Sequence, residues 1–238
     1  MKSEDKLSNG FYNFSIIIWD YLIGNGLFLL FNIAIPMVFL FFKINNAFLM
    51  ILTLYLLSLN LMPSFVALLY LYRKEDRKES ILKTYIRGYK LSFKQAFRTG
   101  ALMSFLIVIF LVDYLYFSKI NEIVGIIFVV ALLLAIVFSF SLANLISNFN
   151  FNSRQLFELM VVFFSKLNGP TLKSLGFLLA FFWMYFSGAT ITVWFMFAAC
   201  AKIMVKASRK VMEEIYYFHT EEGLSEENPF LINADESL

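Results

Sequence analysis

Residues 123–146 run IVGIIFVVALLLAIVFSFSLANLI without one charged side chain. About 20 apolar residues of α-helix cross a hydrocarbon core about 30 Å thick. Inside that core no water reaches backbone N–H and C=O groups, so a crossing segment must satisfy them within itself, as a helix does. The run is therefore read as a membrane span, and it sets the solvent for everything around it. Working outward, windows of the same kind lie at 100–118, 47–72 and 22–42. A further apolar run covers 172–201. As a helix it is about 45 Å long, enough for one tilted crossing and short for two, so it is counted once.

The stretch 152–166 is apolar in its middle but carries Arg154, Glu158 and Lys166. The uncharged piece left is too short to span, which predicts an interfacial or re-entrant helix. The expected fold is thus all-α, a polytopic transmembrane helical bundle of about five spans plus interfacial amphipathic helices. It forms a single membrane domain over residues 1–218, followed by an acidic tail over 219–238 with too few apolar groups to pack, expected to be disordered. The first run is as long as a span and no small-residue cleavage site follows it before Lys43, so it is expected to be retained.

Composition agrees with this reading. Hydrophobic residues make up 60% of the chain and charged residues 16%, with a mean hydropathy of +0.73. A soluble domain has about 45–50% and about 25%. One cysteine, Cys200, and one histidine, His219, cannot supply a disulfide or a conventional His/Cys metal site. No GxxxxGK[ST], GxGxxG or GxSxG occurs, so nucleotide hydrolysis, dinucleotide binding and hydrolase chemistry lack their usual signatures. The expectation is a protein with no catalytic residues, no metal and no cofactor.

Charge is unevenly distributed. The connector 73–99 holds Arg73, Lys74, Arg77, Lys78, Lys83, Arg87, Lys90, Lys94 and Arg98 against Glu75, Asp76 and Glu79. The positive-inside rule places it in the cytoplasm, and counting spans puts the N-terminus and 147–171 there too. Lys202, Lys206, Arg209 and Lys210 fit poorly, because five spans would leave them outside. Either the connector outvotes them, which is the preferred reading, or 172–201 bends near Ser187 and Gly188 and returns as a re-entrant hairpin.

Within the connector, Tyr85, Tyr89, Phe93 and Phe97 recur every four residues, with Lys83, Arg87, Lys90, Lys94 and Arg98 on nearly the opposite side. That pattern predicts a two-faced helix whose aromatic face can lie on the bundle or in the headgroup layer while its basic face meets anionic lipid or a partner's acidic surface, and all nine residues are candidates for docking or lipid contact. No recognised nucleic-acid-binding fold surrounds these charges, so nucleic acid is not an expected partner. In the fourth span, Ala131, Ala135, Ser139, Ala143 and Ser147 form a small-residue ladder that would let another helix approach closely. Asn25, Asn32, Asn60 and Asn144, with Asp113, are candidates for a polar seam, although interhelical hydrogen bonding explains the amides equally well. Pro36 and Pro63 are expected to kink their helices.

Pro63-Ser64-Phe65-Val66-Ala67, then Arg73-Lys74 and the stretch TYIRGYKLSFKQAFRTGALMSFLIVIFLVD ending at Asp113, resemble the YesL-like membrane family of Firmicutes, also called domain of unknown function 624. That family has a Pro-x-x-x-Ala turn at the end of the second span, then a Lys-x-Ala-x-x-x-Gly element leading to an Asp. The matching positions are Pro63 and Ala67, Lys94, Ala96 and Gly100, and Asp113, with Ser64 replacing the usual Ala. The resemblance implies a bacterial inner-membrane protein, often encoded near sugar-uptake ABC transporters, and it carries no catalytic residues across. The leading expectation is an accessory or regulatory subunit of a carbohydrate-uptake system that docks through the connector. The alternatives are a small transporter or channel for an uncharged solute, and a lipid-binding scaffold.

Overall fold

The computed structural model describes residues 2–74 and 80–221. The acidic tail from 222 onward and the connector residues 75–79 lie outside the described residues. Nine helices follow in order among the described residues: α1 (Lys2–Phe31), α2 (Ala34–Phe41), α3 (Ala47–Ser58), α4 (Leu61–Arg73), α5 (Ile81–Phe117), α6 (Glu122–Asn148), α7 (Ser153–Val162), α8 (Phe164–Phe186) and α9 (Met196–Glu221), with a 3-10 turn at Thr190–Trp194 before α9. The fold is all-α. Three helical stretches are long and apolar enough to cross a membrane, namely Ala47–Arg73, Ile81–Phe117 and Glu122–Asn148, and Ser15–Phe31 is a shorter apolar helix. Large apolar side chains face outward, as at Leu40, Phe41 and Phe186, at 76%, 75% and 80% exposure. Water would penalise that surface, whereas lipid accepts it, and the chain is a membrane protein.

The two prolines divide the first two runs. Pro36 has no N–H to offer the carbonyl of Asn32, and the helix breaks there between α1 and α2; the Ile35 N–H bonds to that carbonyl instead, at 3.0 Å. The run expected as one span over 22–42 is therefore interrupted. Pro63 leaves Leu59 without its helical donor in the same way, at the junction of α3 and α4.

Two further boundaries differ from expectation. The connector and the third span form one helix of 37 residues, α5, capped by the Ser80 hydroxyl accepting from the Lys83 N–H at 3.4 Å. Nothing between 81 and 117 breaks it: Gly100 is there for close packing and not as a terminator. The run 172–201 is not one helix. It turns at Ser187–Ala189, where Gly188 takes a φ of 101°, and α9 returns antiparallel to α8. Pairings of Thr192 with Phe181, Ser174 with Cys200 and Lys166 with Glu214 mark that hairpin. The five-span count loses its fifth member as a single helix. The amphipathic segment is likewise shorter than 152–166, since α7 ends at Val162 and Lys166 belongs to α8.

The core joins all arms of the bundle through aromatic rings. Phe65 of α4 meets Phe28 of α1 at 6.3 Å and Phe140 of α6 at 4.9 Å, and Phe28 meets Phe197 of α9 at 4.5 Å. The backbones of α4 and α5 approach closely. Gly88, Ser92, Ala96 and Gly100 recur every four residues on the buried face of α5. A Cβ at Gly88 would stand 2.6 Å from the Tyr70 ring, and one at Gly100 would stand 2.8 Å from the Met62 Cβ. Small residues at this spacing let helices pack where lipid supplies no hydrophobic driving force.

Gly88→Ala is expected to lower the stability of the detergent-solubilised protein by about 1–3 kcal/mol through overpacking. Gly176→Ala, whose Cβ would meet nothing within 4 Å, should leave it unchanged or raise it by up to about 1 kcal/mol through helix propensity. Thermal unfolding of both variants checks this, and equal effects would contradict the packing.

Candidate functional site

The aromatic face of α5 is occupied largely by the chain itself. Tyr85 is fully buried and donates to the Ser64 carbonyl at 3.0 Å. Tyr89 donates to Asn60 Oδ1 at 2.6 Å, and the Phe31 ring lies 5.2 Å from Tyr85 and 4.8 Å from Tyr89. Tyr85, a candidate for lipid or partner contact, instead takes the other place open to its face and packs on the bundle, sealed over the two helix breaks. Phe93 and Phe97 stack outward from Tyr89 and stay 40% and 38% exposed. On the other side Lys83, Lys90, Lys94 and Arg98 are exposed and Arg87 is half-buried. The result is a basic stripe on a helix fixed by its opposite face.

Three of the seam asparagines serve backbone groups that the helix breaks expose. Asn32 Nδ2 donates to the Phe28 carbonyl at 2.8 Å and to Ser64 Oγ at 2.7 Å. Asn60 Nδ2 donates to the Phe31 carbonyl at 2.6 Å. Asn25, fully buried, donates to the Val193 carbonyl at 2.8 Å and accepts from the N–H groups of Phe197 and Ala198 at 3.0 and 3.2 Å. It caps the start of α9 from another helix, where the first N–H groups have no helical partner.

Asn144 differs. It is 1% exposed, and neither its Nδ2 nor its Oδ1 has a hydrogen-bond partner among the described residues. Asp113 sits near the far end of α5, half-buried and apart from these amides, so the five residues do not form one seam. None of the five lines the apolar cavity of about 400 Å³ between α3, α4, α5 and α6. The ladder of α6 opens onto that cavity: Ala135, Ala143 and Ser147 are buried, Ala131 and Ser139 are half-buried, and Ser139 and Ala143 line it.

The sequence reading missed where the α9 cations go. Because the hairpin returns, Lys202, Lys206, Arg209 and Lys210 line one pocket with Arg73, the last residue of α4, and with Asn144. Lys202 lies over the Tyr21 ring at 4.8 Å. The signal was present, since Lys202, Lys206 and Lys210 repeat every four residues opposite the buried Ala201, Met204, Ser208 and Met212.

Among known families, the one described as "Protein of unknown function, DUF624" matches residues 21–114. No curated protein and no solved structure matches the chain. The matched segment runs from the middle of α1 nearly to the end of α5. It contains Pro63 and Ala67, both buried in α4, and Ala96 and Gly100, both buried in α5. In this structure those residues pack helices together.

Asn25→Ala removes a cap and strands two N–H groups, so it should destabilise the solubilised protein by about 1–3 kcal/mol. Asn46, an exposed cap of α3 that accepts from Phe48 and Leu49, should cost less when replaced by Ala, about 0.5–1 kcal/mol, because water reaches its helix end. Denaturation curves that ranked the two the other way would contradict the account of Asn25.

Proposed function

With residues 21–114 belonging to the DUF624 family, we propose that this protein is a non-enzymatic accessory or regulatory membrane subunit that docks a partner along the basic stripe of α5. The carrying observation is that Tyr85 and Tyr89 are held by α4 and α1 while Lys83, Lys90, Lys94 and Arg98 stand exposed on the same helix. A pinned helix presents its charges in fixed register, which favours specific recognition of an acidic surface. The partner class, a carbohydrate-uptake ABC transporter in a bacterial cell membrane, is supported by the family resemblance alone.

The topology proposed with it has four crossings, α1–α2, α3–α4, α5 and α6, with α8 and α9 entering as a hairpin from the connector side. The support is the contact of the hairpin tip with Asn25 and Phe28, inside the apolar part of α1. The connector and the α9 cations then share the cytoplasmic face, as the positive-inside rule favours. A second reading, a small transporter for an uncharged solute, draws on the cavity of about 400 Å³. Its apolar lining favours an apolar molecule over a sugar.

The test is a mild-detergent pulldown of the tagged protein from its native membrane, with the intact chain set beside a variant carrying Gln at 83, 90, 94 and 98. Co-purification of sugar-transporter components that the variant loses is the expected result. Equal recovery with both forms, or none with either, would overturn docking through α5.

A further inference from the structure

The pocket where α4, α6 and α9 meet has a volume of about 900 Å³ and is separate from the basic stripe of α5. We infer that it holds the headgroup of an anionic phospholipid, one that combines a phosphodiester with a free hydroxyl. Three observations carry this beyond the docking reading.

The first is charge. Arg73, Lys202, Lys206, Arg209 and Lys210 line the pocket against one carboxylate, Glu213, which lies 3.4 Å from Arg209. Lys206 and Lys210 have no carboxylate partner among the described residues. Cations converging on a concave surface favour an anion and disfavour a headgroup that brings an ammonium of its own.

The second is depth. Arg73 ends one candidate span and Asn148 ends another, and both line the pocket. Tyr72, Tyr216 and Tyr217 line it too, in keeping with the interfacial preference of tyrosine. Each of the two spans, at 27 residues, is longer than the about 20 residues a crossing needs, so ends of this kind reach the headgroup layer that lies directly outside the hydrocarbon. A lipid already resident there meets the site without leaving the membrane.

The third is the amide of Asn144. Buried polar groups without partners are few in folded proteins, and here both ends of one side chain lack them. Both atoms are closed off from the pocket as the side chain stands, so a headgroup engages them by a rotation of the Asn144 side chain: Nδ2 can only donate and suits a phosphate oxygen. Oδ1 can only accept and needs a hydroxyl or N–H. A choline headgroup has no donor for Oδ1, and a phosphate monoester has one only while a P–OH stays protonated, whereas a glycerol-phosphate headgroup supplies an acceptor and an alcohol hydroxyl at any pH. The three amides of Asn25, Asn32 and Asn60 are all engaged, and among the described residues Asn144 is the side chain with two buried polar atoms unpartnered, where Gln95, Thr99 and Asn168 have one each.

The test uses the purified full chain in mixed micelles, with melting temperature read against added lipid. Phosphatidylglycerol is expected to raise it saturably, and phosphatidylcholine is not. In Lys206→Gln/Lys210→Gln, whose changes are at exposed positions, the apparent affinity for phosphatidylglycerol should fall about tenfold or more. Asn144→Leu should erase the preference for phosphatidylglycerol over phosphatidic acid, the two compared at a pH where the phosphomonoester is fully ionised and has no hydroxyl to donate. Inorganic phosphate at matched concentration should do nothing. Stabilisation by inorganic phosphate equal to that by lipid would overturn the lipid source. Unchanged lipid affinity in the double variant, or no saturable binding at all because the pocket holds water only, would overturn the site.

Discussion

Every helix end placed in hydrocarbon must find partners for its backbone groups inside the protein, and in this chain Asn25, Asn32 and Asn60 supply several of them. Asn32 and Asn60 both serve carbonyls at the break forced by Pro36, and at the break forced by Pro63 the Ser64 hydroxyl donates to the Asn60 carbonyl. Asn46 and Asn121 cap α3 and α6, and Asn152 forms a capping box with Gln155 on α7. Asn25 does the same across the bundle, closing the start of α9 from α1. Asn25, Asn32 and Asn60 turn discontinuities that lipid would not tolerate into stable features, while Asn46, Asn121 and Asn152 cap exposed helix ends.

The break between α8 and α9 matters most, because it allows the chain to return. With α9 running back beside α8, its cations reach Arg73 at the end of α4. The α4–α5 contact has a similar influence at the other flank. Glycine and alanine at four-residue spacing bring the two backbones together, and Tyr85 and Tyr89 lock the helix by its aromatic side, which leaves the lysines outward. Charge presentation is thus a consequence of packing elsewhere in the bundle.

Much of this was legible in the sequence where hydropathy alone decides. The runs 47–72 and 123–146 correspond closely to α3–α4 and α6, and the two faces of the connector follow directly from its spacing. Hydropathy is blind to direction reversal, so 172–201 looked like one helix although Ser187 and Gly188 marked the turn. It was equally blind to the merger of connector and span, since polarity changes at 99–100 while helicity does not. The Gly88–Gly100 ladder was masked by the charges interleaved with it, and the less tightly buried ladder of α6 drew notice because nothing polar interrupts it. Which asparagine lacks a partner is a property of three-dimensional packing, and no spacing rule separates Asn144 from the rest.

The return of α9 is the claim on which the charge geometry stands, and sidedness measures it most directly. In a Cys200→Ala background, single cysteines at Lys94, Lys119 and Lys206 would be labelled in sealed vesicles with a membrane-impermeant maleimide. The account predicts that positions 94 and 206 label from the same side and position 119 from the other. Labelling of 206 together with 119 would contradict the hairpin.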